Sequence, residues 1–352
     1  MRYIFVGLFL LLPTFLSKAQ IRTETSFPDI RNKKGDLIAI NEMHGALANT
    51  QVYLDILKHV HEQLPDDTIN LLLEIPFSQA VWCNDFLASG GKIAMSERVY
   101  PSPEFWNEIV LQQIPVKIFG CDFEYDAQFK RNKSLIYLLQ KTSDDLVDAK
   151  MDTGFIASYI AMVKGFQLQE KNTRALIKQL EAIQPAATSV LKMKIGQLIF
   201  ALEAPQKYSS GRDAFIYRRS LDGIKQHNFD YQNQINILIH GVAHINPVNK
   251  KSLFNRFRNG GDSPFRGKCF VLGNVYLNCK NNSGIFRHET INSYSFYAIE
   301  KDGTPITTYF NALQLSSQEV HFLATPKAID LGFPGLTQEE ILGLYVHVAI
   351  VN

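Results

Sequence analysis

The sequence lacks the motifs that identify many common catalytic and nucleotide-binding folds. It contains four cysteines and no CxxC pair, which argues against a thiol redox motif or a cysteine-rich zinc site. It also contains no GxSxG, GxGxxG, Walker or HExxH sequence. These absences leave no support for a serine nucleophile elbow, a glycine-rich phosphate loop or the helical zinc motif of many proteases.

An excess of charge of one sign is missing as well. The 352 residues include 36 lysines and arginines and 34 aspartates and glutamates, for a formal net charge of +2. This balance excludes the basic footprint of a nucleic-acid binder. Hydrophobic residues make up 46% of the chain, enough for a large core, which excludes a disordered or fibrous protein. We expect a small-molecule substrate and no nucleic acid partner.

Long hydrophobic runs are confined to the start of the chain. Arg2 precedes an almost wholly apolar run from Tyr3 to Leu16, and Ser17-Lys18-Ala19 places small residues where a signal peptidase reads them. This pattern predicts a signal peptide over residues 1–19 and an exported protein, periplasmic or secreted, that begins at Gln20. A retained membrane anchor is the alternative. No later stretch reaches the roughly 18 apolar residues of a membrane helix, so we expect no integral membrane segment after signal removal.

Four short apolar runs have the character of buried strands. They are Leu37–Ile40, Ile69–Leu73, Val116–Cys121 and Ile235–Ile239. Near-continuous apolar runs of this length are typical of strands covered on both faces. Helical patterns lie between them, over about Tyr53–Leu64, Phe77–Ala88 and Glu104–Gln113. Strands that alternate with helices predict an α/β fold with a mainly parallel sheet flanked by helices.

We expect residues 20–352 to form a single domain that adds two parts to this plan. Residues 127–230 show helical patterns punctuated by proline, which predicts a helical insertion between the third and fourth strands. It would either cover the site as a lid or extend the core. The C-terminal part is strand-rich, with candidates at Phe270–Leu277, Tyr294–Ile299, Thr307–Phe310, Val320–Leu323 and Tyr345–Ile350.

Two of the cysteines flank the first of these C-terminal candidate strands. Cys269 and Cys279 would be able to pair in an oxidising compartment if the segment between them turned back, for instance at Gly273-Asn274. Two separate buried thiols are the alternative, because cysteine is among the most buried residue types.

Polar side chains follow all four predicted strands. Ligands of parallel sheets bind beyond the carboxyl ends of the strands, and the residues that fall there are Glu42, His44, Glu74, Asp122 and His244. Glu42 and His44 point the same way if the chain is extended, and a carboxylate partner keeps a histidine basic and fixes its tautomer. His44 is therefore a candidate general base for activating water. A helix cap is the structural alternative for Glu42.

The same side chains are potential metal ligands. The candidate ligands are Glu42, His44, Glu74 and His244, with Asp122 and His240 as further donors. Their oxygen and nitrogen atoms suit zinc, manganese or iron. The spacing matches no established metal motif, so a divalent metal is an open alternative.

Taken in order, these motifs resemble those of a known superfamily. They are Asn41-Glu42-Met43-His44-Gly45, Leu72-Leu73-Glu74, Gly120-Cys121-Asp122-Phe123-Glu124, Arg212-Asp213 and Gly241-Val242-Ala243-His244-Ile245. The set spans about residues 35–250 and is similar to that of the erythromycin esterase-like proteins and of the related ChaN-like and TIKI/TraB-like proteins. The resemblance implies a hydrolase-like protein that cleaves an ester bond by attack of water.

The resemblance also implies roles for individual residues. His44 matches the general base, and Glu42 and Glu74 match the site carboxylates. Arg212 and His244 match the arginine and second histidine, which would bind the negative charge that develops in ester cleavage. The remaining polar positions, Asp122, Glu124 and His240, are expected to contact the substrate.

The match departs from the esterase pattern at its first motif. Asn41 stands where esterases usually have glycine, and Glu42 and His44 are two residues apart rather than three, which is closer to the ChaN pattern. The wider superfamily therefore implies two alternative functions at the same cleft. One is binding of haem or iron, and the other is metal-dependent peptidase-like activity.

Overall fold

The described strands of the protein form one sheet in a computed structural model. The model describes residues 21–23, 27–46, 48–96, 99–124, 133–165, 167, 169–203, 211–226, 229–280, 290–293, 319–324 and 335–348. The described strands are β1 (Ile21–Thr23), β2 (Leu37–Glu42), β3 (Ile69–Pro76), β4 (Val116–Asp122), β5 (Ile235–Gly241), β6 (Cys269–Lys280), β7 (Thr290–Ser293), β8 (Glu319–Ala324) and β9 (Ile341–Val348). Their order is β1-β8-β9-β6-β2-β5-β3-β4, and β7 pairs with β6.

The centre of the sheet is parallel, as the apolar runs predict. β5 lies between β2 and β3, and β4 pairs with the other side of β3, all in parallel register. Side chains of β2 alternate between two cores: Leu37 and Ala39 pack on one face of the sheet, and Ile38 and Ile40 on the other. Both faces are covered, which explains why the four runs are apolar throughout. The predicted α/β fold is confirmed.

Helices cover the two faces unequally. The described helices are α1 (Ala48–Gln63), α2 (Phe77–Ala88), α3 (Pro103–Leu111), α4 (Lys133–Asp148), α5 (Gly154–Lys164), α6 (Glu170–Ile183), α7 (Ser189–Leu202), α8 (Arg212–Gln226) and α9 (Leu253–Asn259), with short 3₁₀ turns at Gln184–Ala186 and Gln338–Glu340. Buried side chains of α1 and α3 join one core. Those of α4 to α9 join the other, so the helical insertion between β4 and β5 extends that core. Among the described helices, none is long and apolar enough to cross a membrane.

The C-terminal strands continue the main sheet. β6 pairs in parallel with β2 and β9, and β8 runs antiparallel to β9. The predicted strands Val320–Leu323 and Tyr345–Ile350 correspond to β8 and to the end of β9. The candidates at Tyr294–Ile299 and Thr307–Phe310 lie outside the described residues.

Of the two alternatives for Cys269 and Cys279, the disulfide is wrong. β6 runs without a turn from Cys269 to Lys280, so at about 3.3 Å per residue the two cysteines are roughly 33 Å apart along one strand. Disulfide-bonded Cα atoms are usually no more than about 7 Å apart. Cys269 is a buried free thiol, as the alternative expectation had it.

Candidate functional site

Neighbouring strands bring the predicted site residues to one edge of the sheet. Because β2, β5, β3 and β4 are adjacent and parallel, their carboxyl ends lie side by side. Glu42 ends β2, Glu74 lies near the end of β3, and Asp122 ends β4. His44 and His244 occupy the loops that follow β2 and β5, and Arg212 is the first residue of α8.

His44 lies between two carboxylates. Its Nδ1 is 2.8 Å from Oε1 of Glu42 and its Nε2 is 3.3 Å from Oε2 of Glu74. Burial alone would lower the pKa of His44, but Glu42 and then Glu74 outweigh it and raise the pKa to about 11. The side chain keeps 48% of its surface exposed, whereas Glu42 keeps none and Glu74 keeps 2%. Among these ionisable groups, His44 is therefore the one presented to solvent.

Two tyrosines, which sequence reasoning missed, hold the other oxygen of Glu42. The hydroxyls of Tyr53, on α1, and Tyr100 both donate to Oε2, while Oε1 remains for His44. Burial and the charge of Glu42 hold the pKa of both phenols well above the usual value, so they stay protonated donors. This clamp fixes the orientation of Glu42 and, through it, of the imidazole of His44.

Arg212 connects the carboxylates of β3 and β4. Its Nη2 donates to Oε1 of Glu74 and to Oδ2 of Asp122, both at 2.6 Å, and its Nε donates to Oδ1 of Asp122 at 3.3 Å. Hydrogen bonds to a charged carboxylate of this kind are among the strongest in proteins. Burial would raise the pKa of Glu74, but hydrogen bonds from His244 and His44 hold it well below the usual value. Glu74 therefore stays ionised at the centre of the site.

His244 is held by an aspartate that adjoins Arg212 in the chain. Its Nδ1 contacts Oδ1 of Asp213, and its Nε2 lies 2.9 Å from Nη1 of Arg212 and 3.4 Å from Oε1 of Glu74. Burial lowers the pKa of His244, but Asp213 and Glu74 outweigh it and raise it to about 9. A guanidinium can only donate, so Arg212 bonds to Nε2 only while that nitrogen is unprotonated, and a protonated Nε2 turns to Glu74 instead.

The residues expected to contact substrate are buried and engaged elsewhere. Asp122 is fully buried beneath Arg212. His240 is also fully buried, with Nε2 3.2 Å from Sγ of Cys121, and burial lowers its pKa to about 3, so it is neutral. Glu124 accepts hydrogen bonds from the backbone and hydroxyl of Ser78 at the start of α2. All three side chains are buried in this structure, and their contact with a substrate stays a prediction.

Gly241 leaves the space that His44 occupies. Its N–H donates to Oε2 of Glu74 at 2.7 Å, and a Cβ at this position would lie 3.0 Å from Nε2 of His44 and 3.2 Å from Glu74. Glu74 is buried and held by Arg212, so the exposed imidazole would have to move. The sequence motif contained this glycine, but only the structure shows what its missing side chain permits.

We expect Gly241→Ala to lower kcat of the reaction proposed below by about 10- to 100-fold, because small misplacements of a catalytic group have effects of that size. Gly261→Ala is the matched control, since a Cβ there meets no atom within 4 Å. Steady-state kinetics of both variants check the prediction. Equal kcat in the two variants would contradict it.

The donor atoms of the site suit a metal ion, but they are already engaged in contacts with one another and with Arg212. Glu42, His44 and Glu74 each offer a ligand atom, all within 4.8 Å of one another, and such donors suit a divalent cation. A cation there would have to displace His44 from its ion pair with Glu42 and compete with Arg212 for Glu74. The further candidate ligand His244 contacts Asp213 and Arg212 with its two nitrogens. A haem iron would likewise need an imidazole nitrogen that these contacts occupy.

The protein thus has an α/β fold, and its candidate site is a cluster of ionisable side chains at the carboxyl ends of parallel strands. No protein-family model and no curated protein matches the sequence. Among solved structures, a mutant of the erythromycin esterase EreC in its open conformation is similar, with 12% identity and a TM-score of 0.50, over 90% of this chain and 91% of that one.

Two further solved structures are similar to the same extent. A protein from Bacillus cereus has 13% identity and a TM-score of 0.50, over 92% of this chain and 91% of that one. A succinoglycan biosynthesis protein has 10% identity and a TM-score of 0.50, over 92% of each chain. At these identities the similarity concerns the fold alone. The expected resemblance to the erythromycin esterase-like fold is confirmed at that level.

Proposed function

We propose that the protein is an exported hydrolase that cleaves an ester or lactone of a small molecule by direct attack of water. His44 acts as the general base, Glu42 and Glu74 orient it and tune its basicity, and Arg212 with His244 supplies positive charge and hydrogen bonds at the reacting carbonyl. The similarity in fold to an erythromycin esterase supports this class of reaction.

One observation carries the proposal. The imidazole of His44 is about half exposed, while the carboxylates that contact it are buried and fixed by Tyr53, Tyr100 and Arg212. A general base needs both features, because it must reach the substrate and keep its orientation during proton transfer. A purely structural ion pair has no need to present its histidine to the solvent.

The reaction follows from these contacts. Neutral His44 keeps the proton of Nδ1 on the side of Glu42, and its Nε2 takes a proton from a water that replaces the 3.3 Å contact with Glu74. The hydroxide equivalent adds to the carbonyl carbon, and the oxygen that becomes negative is stabilised by the charge of Arg212. The imidazolium, stabilised by Glu42 and Glu74, returns its proton to the leaving alkoxide as the ester bond breaks. Water is thus divided between the acid and alcohol products.

The pH dependence of hydrolysis is the first test. Because the pKa of His44 is raised to about 11, most of the enzyme carries an imidazolium at pH 7, and the neutral base increases about tenfold per pH unit above it. We therefore expect kcat/KM to rise by about 100-fold between pH 7 and pH 9. The measurement is hydrolysis of a panel of esters and lactones, with spontaneous hydrolysis subtracted at each pH.

A chelator distinguishes the metal-dependent alternative in the same assay. Since His44 already pairs with Glu42 and Arg212 with Glu74, we expect EDTA to leave the rates unchanged. Peptides belong in the panel because a metal-dependent peptidase would cleave them and would be inhibited by EDTA. Titration with haemin, followed by its visible absorption band, tests the binding alternative. Loss of all ester hydrolysis on chelation, or absence of any hydrolysis together with haemin binding, would overturn the proposal.

A further inference from the structure

The segment that carries Glu42 and His44 is fastened to β6 by side chains as well as by the sheet. Backbone pairing of β2 with β6 covers Leu37–Ala39 and Cys269–Val271. Beyond it, Nδ2 of Asn41 donates to the carbonyl of Asn274 at 2.8 Å, and the backbone N–H of Asn274 donates to Oδ1 of Asn41 at 2.8 Å. Nδ2 of Asn274 returns a bond to the carbonyl of Asn41 at 2.6 Å. These reciprocal hydrogen bonds, the Asn41–Asn274 clasp, connect β2 and β6 beyond the end of their backbone pairing.

A second set of hydrogen bonds holds the backbone of Met43, the residue between Glu42 and His44. Its backbone N–H donates to the hydroxyl of Tyr276 on β6 at 3.2 Å, and its carbonyl accepts from Nδ2 of Asn49 on α1 at 2.8 Å. The Tyr276 hydroxyl in turn donates to Oδ1 of Asn49 at 2.6 Å. Both backbone polar groups of Met43 are therefore tied to one buried tyrosine–asparagine pair.

The ring of Tyr276 is fixed in its turn. It is fully buried and stacks on the imidazole of His347, with ring centroids 4.4 Å apart and planes at 28°. Nε2 of His347 also lies 3.0 Å from Oδ1 of Asn274. His347 of β9 therefore contacts both Tyr276 and Asn274. This buried polar network lies on the side of β2 opposite to β5, away from Glu74 and Arg212.

We propose that Tyr276 and Asn49 are positioning residues for His44, acting through the backbone of Met43, and that the Asn41–Asn274 clasp holds the same segment at the end of β2. The inference rests on the proposed function. Asn41 then has a specific task at the end of β2. The C-terminal strands, which supply no residue to the ion cluster among the described part of the chain, contribute to the reaction by fixing the loop that carries its base.

The test compares two buried tyrosines that each lose one hydroxyl. Tyr276→Phe removes the bonds to Met43 and Asn49 but keeps the ring on His347. Tyr345→Phe is the matched control, because Tyr345 is fully buried on β9 and its hydroxyl donates to Asp55 of α1 at 2.8 Å. We expect similar decreases in the midpoint of thermal unfolding, but a loss of about 10- to 100-fold in kcat in Tyr276→Phe alone, with KM within about twofold of wild type because the substrate surface is untouched. Equal kcat values in the two variants would overturn the inference.

A measurement without substrate separates failure of this inference from failure of the proposed function. In spectra of histidine-labelled protein, the imidazole signals of His44, assigned by their absence in His44→Asn, are expected to shift or broaden in Tyr276→Phe and to stay in place in Tyr345→Phe. If no ester is cleaved but this pattern appears, the positioning role stands and the hydrolase proposal fails. Unmoved His44 signals in Tyr276→Phe would overturn the positioning role. Asn49→Ala, which removes the bond from Asn49 to the carbonyl of Met43 and the bond from Tyr276 to Asn49, replaces Tyr276→Phe if that variant does not fold.

Discussion

Replacing His44 with asparagine is expected to lower kcat for ester hydrolysis by about 10²- to 10⁴-fold, the usual contribution of a general base. The asparagine amide can still donate to Glu42 but cannot take a proton from water. Because protonated His44 compensates the buried carboxylate of Glu42 and its pKa is raised to about 11, we also expect the free energy of unfolding at pH 7 to decrease. Steady-state kinetics and urea denaturation check the two halves of the prediction.

His59→Asn is the appropriate control. His59 also contacts two carboxylates, Asp55 at 3.7 Å and Glu62 at 3.3 Å, but lies on α1 with 31% of its side chain exposed. Its replacement should leave kcat and KM at their wild-type values. Equal activity in His44→Asn and His59→Asn would show that the exposed imidazole of His44 is not the base, and the mechanism would have to be abandoned even if the protein hydrolyses esters.

The central sheet could be predicted from the sequence because its signal is local. Strands buried on both faces must be apolar throughout, and the four runs that met this condition became β2 to β5. The helix predicted over Phe77–Ala88 has the same bounds in the structure. Parallel order then places the residues after each strand at one edge, which is why Glu42, Glu74 and Asp122 could be named before any coordinate.

Contacts that depend on distant partners could not be predicted. Tyr53 lies on the apolar stripe of α1, where it resembles any core aromatic, and Tyr100 is 58 residues from Glu42 in the chain. The supposed turn at Gly273-Asn274 is a local signal overridden by pairing, since these residues lie opposite Leu344 and Tyr345 of β9. Asp213 did have a signal, its adjacency to Arg212, but nothing in the sequence indicates that it faces His244.

Burial was the other quantity that the sequence did not reveal. His240, Asp122 and Glu74 were all predicted at the ends of strands, but the sequence does not show that all three are buried. The ion cluster therefore has depth: His44 is exposed, Arg212 and His244 are partly exposed, and the carboxylates lie below them. Sequence reasoning placed all of these residues at one edge, but it could not separate those that face a substrate from those that support them.

The depth of the cluster makes Arg212 the residue with the largest expected effect on stability. Arg212→Met removes the cation that compensates Glu74 and Asp122, whose side chains keep 2% and 0% of their surface exposed. Removal of one partner from a buried ion pair typically costs about 3–5 kcal/mol, because the remaining charge stays buried and uncompensated. We expect a loss of this size at pH 7, measured by urea denaturation, together with loss of hydrolysis.

Lys141→Met is the control for this loss of stability, and the pH dependence of the loss tests its cause. Lys141 pairs with Asp85 at 2.5 Å, but both side chains are partly exposed, so we expect its loss to cost at most about 1 kcal/mol. Arg212→Met removes a positive charge 2.6 Å from Glu74, so the pKa of Glu74 rises relative to wild type, although hydrogen bonds from His244 and His44 still lower it. A carboxyl with a raised pKa destabilises the fold more as pH increases. The deficit of Arg212→Met should therefore be smaller at pH 5 than at pH 7. A deficit no larger than that of Lys141→Met would mean that Arg212 does not compensate the buried carboxylates.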